Sequence, residues 1–202
     1  MPKFSELTEA IERVIAQSSV TEDAIHSKNT LQWLLRLKPD ADEGLQIAAL
    51  GHDIERAIEE RKVKRQDFED YDVFKQAHAL NSANILRELM LDNGITDPEF
   101  IGDVYTLVCR HEVGGDPRSD ILRDVDSLSY FDVNLPHYSQ RNGREETLRR
   151  CRWGYRRLSE HGKTMLREIR HDDEDLRELL ERCQEETKRS GSDSVGSEVS
   201  QG

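Results

Sequence analysis

Apolar residues recur at helical spacing from the start of the chain: Leu7, Ile11, Val14 and Ile15 place one apolar stripe along an otherwise polar segment. This periodicity constrains the fold more than any other feature. Hydrophobic and charged residues each make up 35% of the 202 residues, so apolar side chains must be gathered efficiently onto one face of each element, as amphipathic helices do. An all-α chain is expected.

The same spacing sets out the helices. The first starts at Ser5, a cap residue. The second runs from about Glu22 through Ala24, Ile25, Leu31, Leu34, Leu35 and Leu37 until Pro39. The third spans about Asp42 to Glu60, with Gly51 inside it at about 1 kcal/mol relative to alanine, which calls for a close-packing or functional reason. A long helix from about Glu69 to Leu91 stops at Asn93 and Gly94. Asp97 and Pro98 open another, reaching about Arg110. Val113 to Pro117 reads as a loop, and Asp120 to Phe131 as a short apolar helix.

Beyond Pro136 the chain becomes charged helix over Glu145 to Glu160, Lys163 to Arg170 and Asp172 to Lys188, expected as an outer layer. The Ser- and Gly-rich residues 189–202 are expected to be disordered. The reading is one domain over 1–188, with its core at about 22–138, its outer helices at about 143–188, and a tail.

A formal net charge of −12 argues against nucleic acid as a partner, because phosphate backbones are bound by clustered Lys and Arg. The three cysteines fall in no Cys-x-x-Cys spacing, and no segment approaches the roughly 18 apolar residues that span a bilayer. A cytoplasmic protein without membrane attachment is expected. The seven arginines between Arg141 and Arg157 could lean over an anionic substrate, but a charged face paired with the acidic Asp172 to Glu186 segment is the favoured reading.

Four of the seven histidines fall on successive helical elements: His26, His52, His78 and His111. A metal ion needs ligands converging from several directions, and in a helical bundle facing helices each supply one or two. Asp53 adjoins His52, and Asp126 follows His111 by 15 residues beside apolar Val125 and Leu128. Any one of these residues alone is more often solvated or satisfied in a core. Together they are costly to bury on inward faces unless cations offset them. Imidazole with carboxylate suits Fe, Mn, Zn or Co rather than Ca.

His26, the doublet His52-Asp53 and the later Asp126 resemble the ordered H…HD…D signature of the HD superfamily of metal-dependent phosphohydrolases, over about Glu22 to Tyr138. The segment Asp124 to Tyr130 is similar to that family's final Asp-x-Asp motif, whose second acid is the ligand, which selects Asp126 over Asp124. His78 and His111 resemble the additional ligands of the dinuclear branches. The resemblance implies that His26, His52, Asp53 and Asp126 hold one ion, and that Asp53, His78 and His111 hold the other, with a hydroxide between them. Two divalent transition-metal ions are expected, Fe or Mn foremost, with Co, Ni, Zn or Mg as alternatives.

The implied activity is hydrolysis of a phosphate ester in a small anionic metabolite or nucleotide. Asp53, Lys75 and Arg110 are the expected catalytic residues, and Lys28, Arg118 and Tyr130 the expected substrate contacts. Arg56 departs from the nucleotidase and alarmone-hydrolase members, which place a Glu three residues after the doublet aspartate. Glu55 is not expected to replace it, since one residue of helix turns a side chain by about 100°. The same ligand set is also similar to that of di-iron oxygenases of this fold, which cleave a C–C or C–P bond. A regulatory protein with a vestigial site is the third reading.

Overall fold

The computed structural model describes residues 2–193, with side chains over 4–185. The chain is all-α, and no strand occurs among the described residues. Its helices are α1 (Pro2–Ile15), α2 (Thr21–Leu37), α3 (Glu43–Gly51), α4 (Tyr71–Asp92), α5 (Pro98–Arg110), α6 (Pro117–Ser129), α7 (Leu135–Arg157), α8 (Glu160–Leu166) and α9 (Glu174–Asp193). Short 3-10 turns cover Ile54–Ala57 and Arg65–Asp67, and a π-helical turn covers Tyr130–Asn134. None of the helices is long and apolar enough to cross a membrane, among the described residues.

The chain divides into two compact units between Ser129 and Tyr130. In the first, α3 is the central element, packed against α1, α2, α5 and α6, while α4 packs on α5 and α6 on α2. Every residue of α3 from Gly44 to Gly51 except Gln46 is buried, as expected of a helix surrounded by others. Asp42 caps it, accepting from the Leu45 amide at 2.9 Å. Gly51 has the close-packing reason that its position called for. A Cβ there would meet Leu86 Cδ2 of α4 at 2.6 Å, with two further Leu86 atoms within 3.1 Å.

Several boundaries differ from expectation. The third helix ends at Gly51 rather than Glu60, and the chain continues through His52 and Asp53 into the 3-10 turn. α1 starts at Pro2, ahead of Ser5. α6 starts at Pro117, ahead of Asp120, because Asp116 accepts from the amides of Arg118 and Ser119 at 3.1 and 3.0 Å. The Asp-Pro opening read at residues 97–98 is therefore repeated at 116–117.

On α2 the apolar residues do not mark the inward face. Ile25 and Leu35 are 48% and 39% exposed, whereas Glu22, Asp23, His26, Ser27 and Thr30 form a buried stripe that continues into Trp33 and Leu34. A buried polar stripe on a helix requires partners for each group. Among these partners, Ser27 Oγ donates to Leu50 O at 2.5 Å and Thr30 Oγ1 to His26 O at 2.8 Å, and Asp23 accepts from Ser18 Oγ at 2.6 Å.

The second unit packs α7 on α9 and on the π-helical turn. α7 is kinked at Gly143, whose φ of 74° lies where glycine is favoured. Phe131, Leu135, Cys151, Tyr155, Leu158, Leu179 and Cys183 are among its buried residues. Arg144 pairs with Asp175 and Glu178 at 3.6 and 3.0 Å, and Arg150 and Arg157 lie over the Trp153 ring. These arginines are thus engaged with the acidic segment and with aromatic faces. The expected tail lies outside the described residues from 194 onward, and residues 189–193 continue α9.

Candidate metal centre

Five helices of the first unit deliver the donors: His26 lies on α2, His52 caps α3 with Asp53 beside it, His78 lies on α4, His111 caps α5, and Asp126 lies on α6. His26 and His52 bring their Nε2 atoms to 3.2 Å from one another. Asp126 Oδ1 lies 3.3 Å from His26 Nε2 and 3.4 Å from His52 Nε2. Asp53 stands between the two ends of the cluster. Its Oδ1 is 2.7 Å from His78 Nε2 and 3.8 Å from His111 Nε2, while its Oδ2 is 3.9 Å from His26 Nε2.

Donor atoms lying within 4.8 Å of one another form overlapping sets: His26, His52 and Asp53; His52, His111 and Asp126; and Asp53, His78 and His111. The last is the expected second ion's ligand set. The four residues expected to hold the first ion are divided over the other two sets, with His52 shared between them. Asp124, although buried, belongs to none of the three.

The histidines are held at the ring nitrogen that faces away from the cluster. Nδ1 of His52 and of His111 donates to a carbonyl three residues back, Ala49 O at 3.0 Å and Val108 O at 2.7 Å. Both residues cap helices whose last carbonyls lack intrahelical donors, so one local device serves twice. His26 Nδ1 lies 2.9 Å from Ser129 Oγ, and that hydroxyl donates to His26 O at 3.1 Å, leaving a lone pair for the ring. His78 Nδ1 donates to Glu55 Oε1 at 2.7 Å. Anchoring Nδ1 in this way fixes the tautomer and aims Nε2 as the metal-binding atom.

Charge supports the fit to cations. Asp23, Asp53, Glu55, Glu112 and Asp126 lie in or against the cluster, with Arg56 paired to Asp23 and Asp53 and Lys75 paired to Glu112. These acids concentrate negative charge in a largely buried region. In the polypeptide alone, protons offset part of it. Burial disfavours a charged His52, yet the charges of Asp53 and Asp126 outweigh burial and raise it to about 9. His78 is raised likewise, against burial, by Asp53 and by its hydrogen bonds to Asp53 and Glu55. Asp53 is held well below the usual carboxylate range: burial opposes this, and His52 and His78 prevail. Metal ions would replace such protons.

The structure brings one of the expected cations to the cluster. Lys75 pairs with Glu112, whose Oε1 is 3.2 Å from His111 Nε2. Arg110 is half exposed and pairs with Asp116 at 3.1 Å, Lys28 pairs with Glu12 at 3.0 Å, and Arg118 braces Asp42 and Asp103. Tyr130 belongs to the second unit, where Arg150 lies 4.2 Å over its ring.

Four contributors escape the sequence reading. Glu55 sits behind His78, Glu112 beside His111 and Ser129 behind His26, while Asp23 shares Arg56 with Asp53 at 3.1 Å each. Glu55 lies in the 3-10 turn after α3 has ended, so its direction does not follow from helical spacing, and it meets His78, Val63 and Asn81. Gly51, read as an interior glycine, was also the available sign of a helix end.

No curated protein and no solved structure matches the chain. A family model described as a domain of unknown function, DUF4202, matches residues 8–180, and the chain therefore belongs to the DUF4202 family.

Proposed function

We propose that the chain is a metal-dependent phosphohydrolase of the HD type, a phosphomonoesterase or phosphodiesterase for a small phosphorylated metabolite or nucleotide. The observation that carries this reading is the convergence of His26, His52, His78 and His111 on two aspartates, each ring anchored at Nδ1. His26, His52, Asp53 and Asp126 would hold one divalent ion and Asp53, His78 and His111 the second, with Fe or Mn the foremost candidates. Such ions supply a water of lowered pKa and neutralise charge on a phosphoryl oxygen.

The chain's own residues supply orientation and charge. Asp53 turns one oxygen toward His78 and the other toward His26 and Arg56, so a single carboxylate sets the separation of the two halves. Lys75 lies one helical turn before His78 and is 18% exposed, which suits a cation that meets an anionic group entering from solvent. Glu112 offsets its charge until then. Arg56, about a third exposed, supplies a second positive charge next to Asp53.

A second reading, a di-iron oxygenase cleaving a C–C or C–P bond, is favoured by the nitrogen-rich donor set, which suits iron. One experiment separates the readings: purification with and without oxygen, metal analysis, and a general screen of phosphomonoesters and phosphodiesters. Anaerobic hydrolysis supported by Mn, Co or Ni is the result expected. Two irons per chain with a mixed-valent spin signal and no hydrolysis would transfer the assignment to the oxygenase. A protein that takes up no metal would leave only a regulatory role.

A further inference from the structure

The geometry points to Glu55 as a positioning residue that makes the two metal positions inequivalent and governs filling of the second. This inference rests on the two-ion reading above.

Among the four anchored histidines, three give Nδ1 to a neutral acceptor: Ala49 O, Val108 O and Ser129 Oγ. His78 alone gives it to a carboxylate, Glu55 Oε1 at 2.7 Å. Glu55 is 1% exposed, and its other oxygen accepts from the Val63 amide at 2.6 Å and from Asn81 Nδ2 at 3.1 Å. All its partners here are donors, so the carboxylate is held as an acceptor, and its direction is fixed by backbone as well as by side chain.

The asymmetry falls at the weaker position. The first ion would have four protein donors, His26, His52, Asp53 and Asp126, and the second only Asp53, His78 and His111. Position one should therefore fill first. A carboxylate behind an imidazole raises the basicity of its Nε2 and fixes the ring plane, and loss of such an outer group typically lowers metal affinity 10–100-fold. Glu55 thus compensates for the missing fourth donor. Replacing its charge while keeping its shape should leave a protein that holds the second ion more weakly than the first.

Zinc, being diamagnetic, allows both calorimetry and nuclear magnetic resonance of the histidine rings. Wild type should bind zinc in two steps, the first shifting the His26 and His52 signals and the second those of His78 and His111. Glu55→Gln should weaken the second step by about 10–100-fold and leave the first unchanged. Ser129→Ala, which removes the neutral acceptor behind His26, should weaken the first step instead.

A Glu55→Gln protein whose two steps match wild type would overturn the inference while leaving the two-ion reading intact. So would equal weakening of both steps, the mark of a merely structural role. Wild type binding no zinc, or zinc binding in a single step, would remove the two-ion reading and this inference with it. If Glu55→Gln does not fold, the metal-free wild type still decides. Its His78 Nδ1–H should be the furthest downfield of the four, and an Nδ1 without a proton would overturn the assignment.

Discussion

Two charge-rich regions of the chain make an instructive pair. Around α2 to α6 in the first unit, four buried histidines and the buried or half-buried acids and cations about them point at one another, each ring held by a second contact. Along α7 in the second unit, arginines are abundant but meet acids of α9 and aromatic faces at the surface. Abundance of charge is cheap where water is at hand. Convergence of charge under burial is expensive, and it persists when something offsets it. The contrast places the candidate metal centre in the first region and a paired, more exposed face in the second.

The largest expected effect breaks the contrast at its centre. Asp53→Ala removes the carboxylate that faces both ends of the cluster, so both ions should be lost, measured as metal content after gel filtration. If Asp53→Ala retained wild-type metal content, the bridging role assigned to this residue would be wrong.

Next in size is Gly51→Ala, which forces a methyl group against Leu86 where a Cβ would sit at 2.6 Å. Overpacking of this kind costs about 1–3 kcal/mol, read as a lower denaturation midpoint. An unchanged midpoint would mean that Leu86 repacks freely and that the approach of α4 to α3 is not set there.

A smaller effect is expected of Ser129→Ala on the first unit's ligand His26: metal affinity falling by about tenfold, at the low end for loss of an outer-shell partner. Smallest is Arg144→Ala. Its pairs with Asp175 and Glu178 are exposed, so stability should change by less than about 1 kcal/mol and metal uptake not at all. A fall in metal content with Arg144→Ala would erase the distinction between the two regions.

The all-α class was legible because helical periodicity survives in the buried residues of α1 and α3, at Leu7, Ile11, Leu45 and Ala48. The candidate ligands were legible because a metal site requires particular donor types. On α2 the periodicity misled: Ile25 faces solvent and His26 faces the core, since a site-bearing helix buries polar groups and leaves apolar ones outside. Glu55 and Glu112 were hidden for another reason. Each follows a ligand that lies at a helix end, where the turn from one side chain to the next no longer follows the helix. Lys75 could be placed from the sequence because it shares the helix of His78, whereas Arg110 shares a helix end with His111 and turns to Asp116 instead.

The most direct test of the account is the metal content of wild-type protein loaded anaerobically with Fe or Mn and freed of excess ion. Two ions per chain, displaced in the Asp53→Ala variant, is the predicted result. A wild-type protein that binds neither metal, nor zinc, at its four histidines and two aspartates would contradict the central claim.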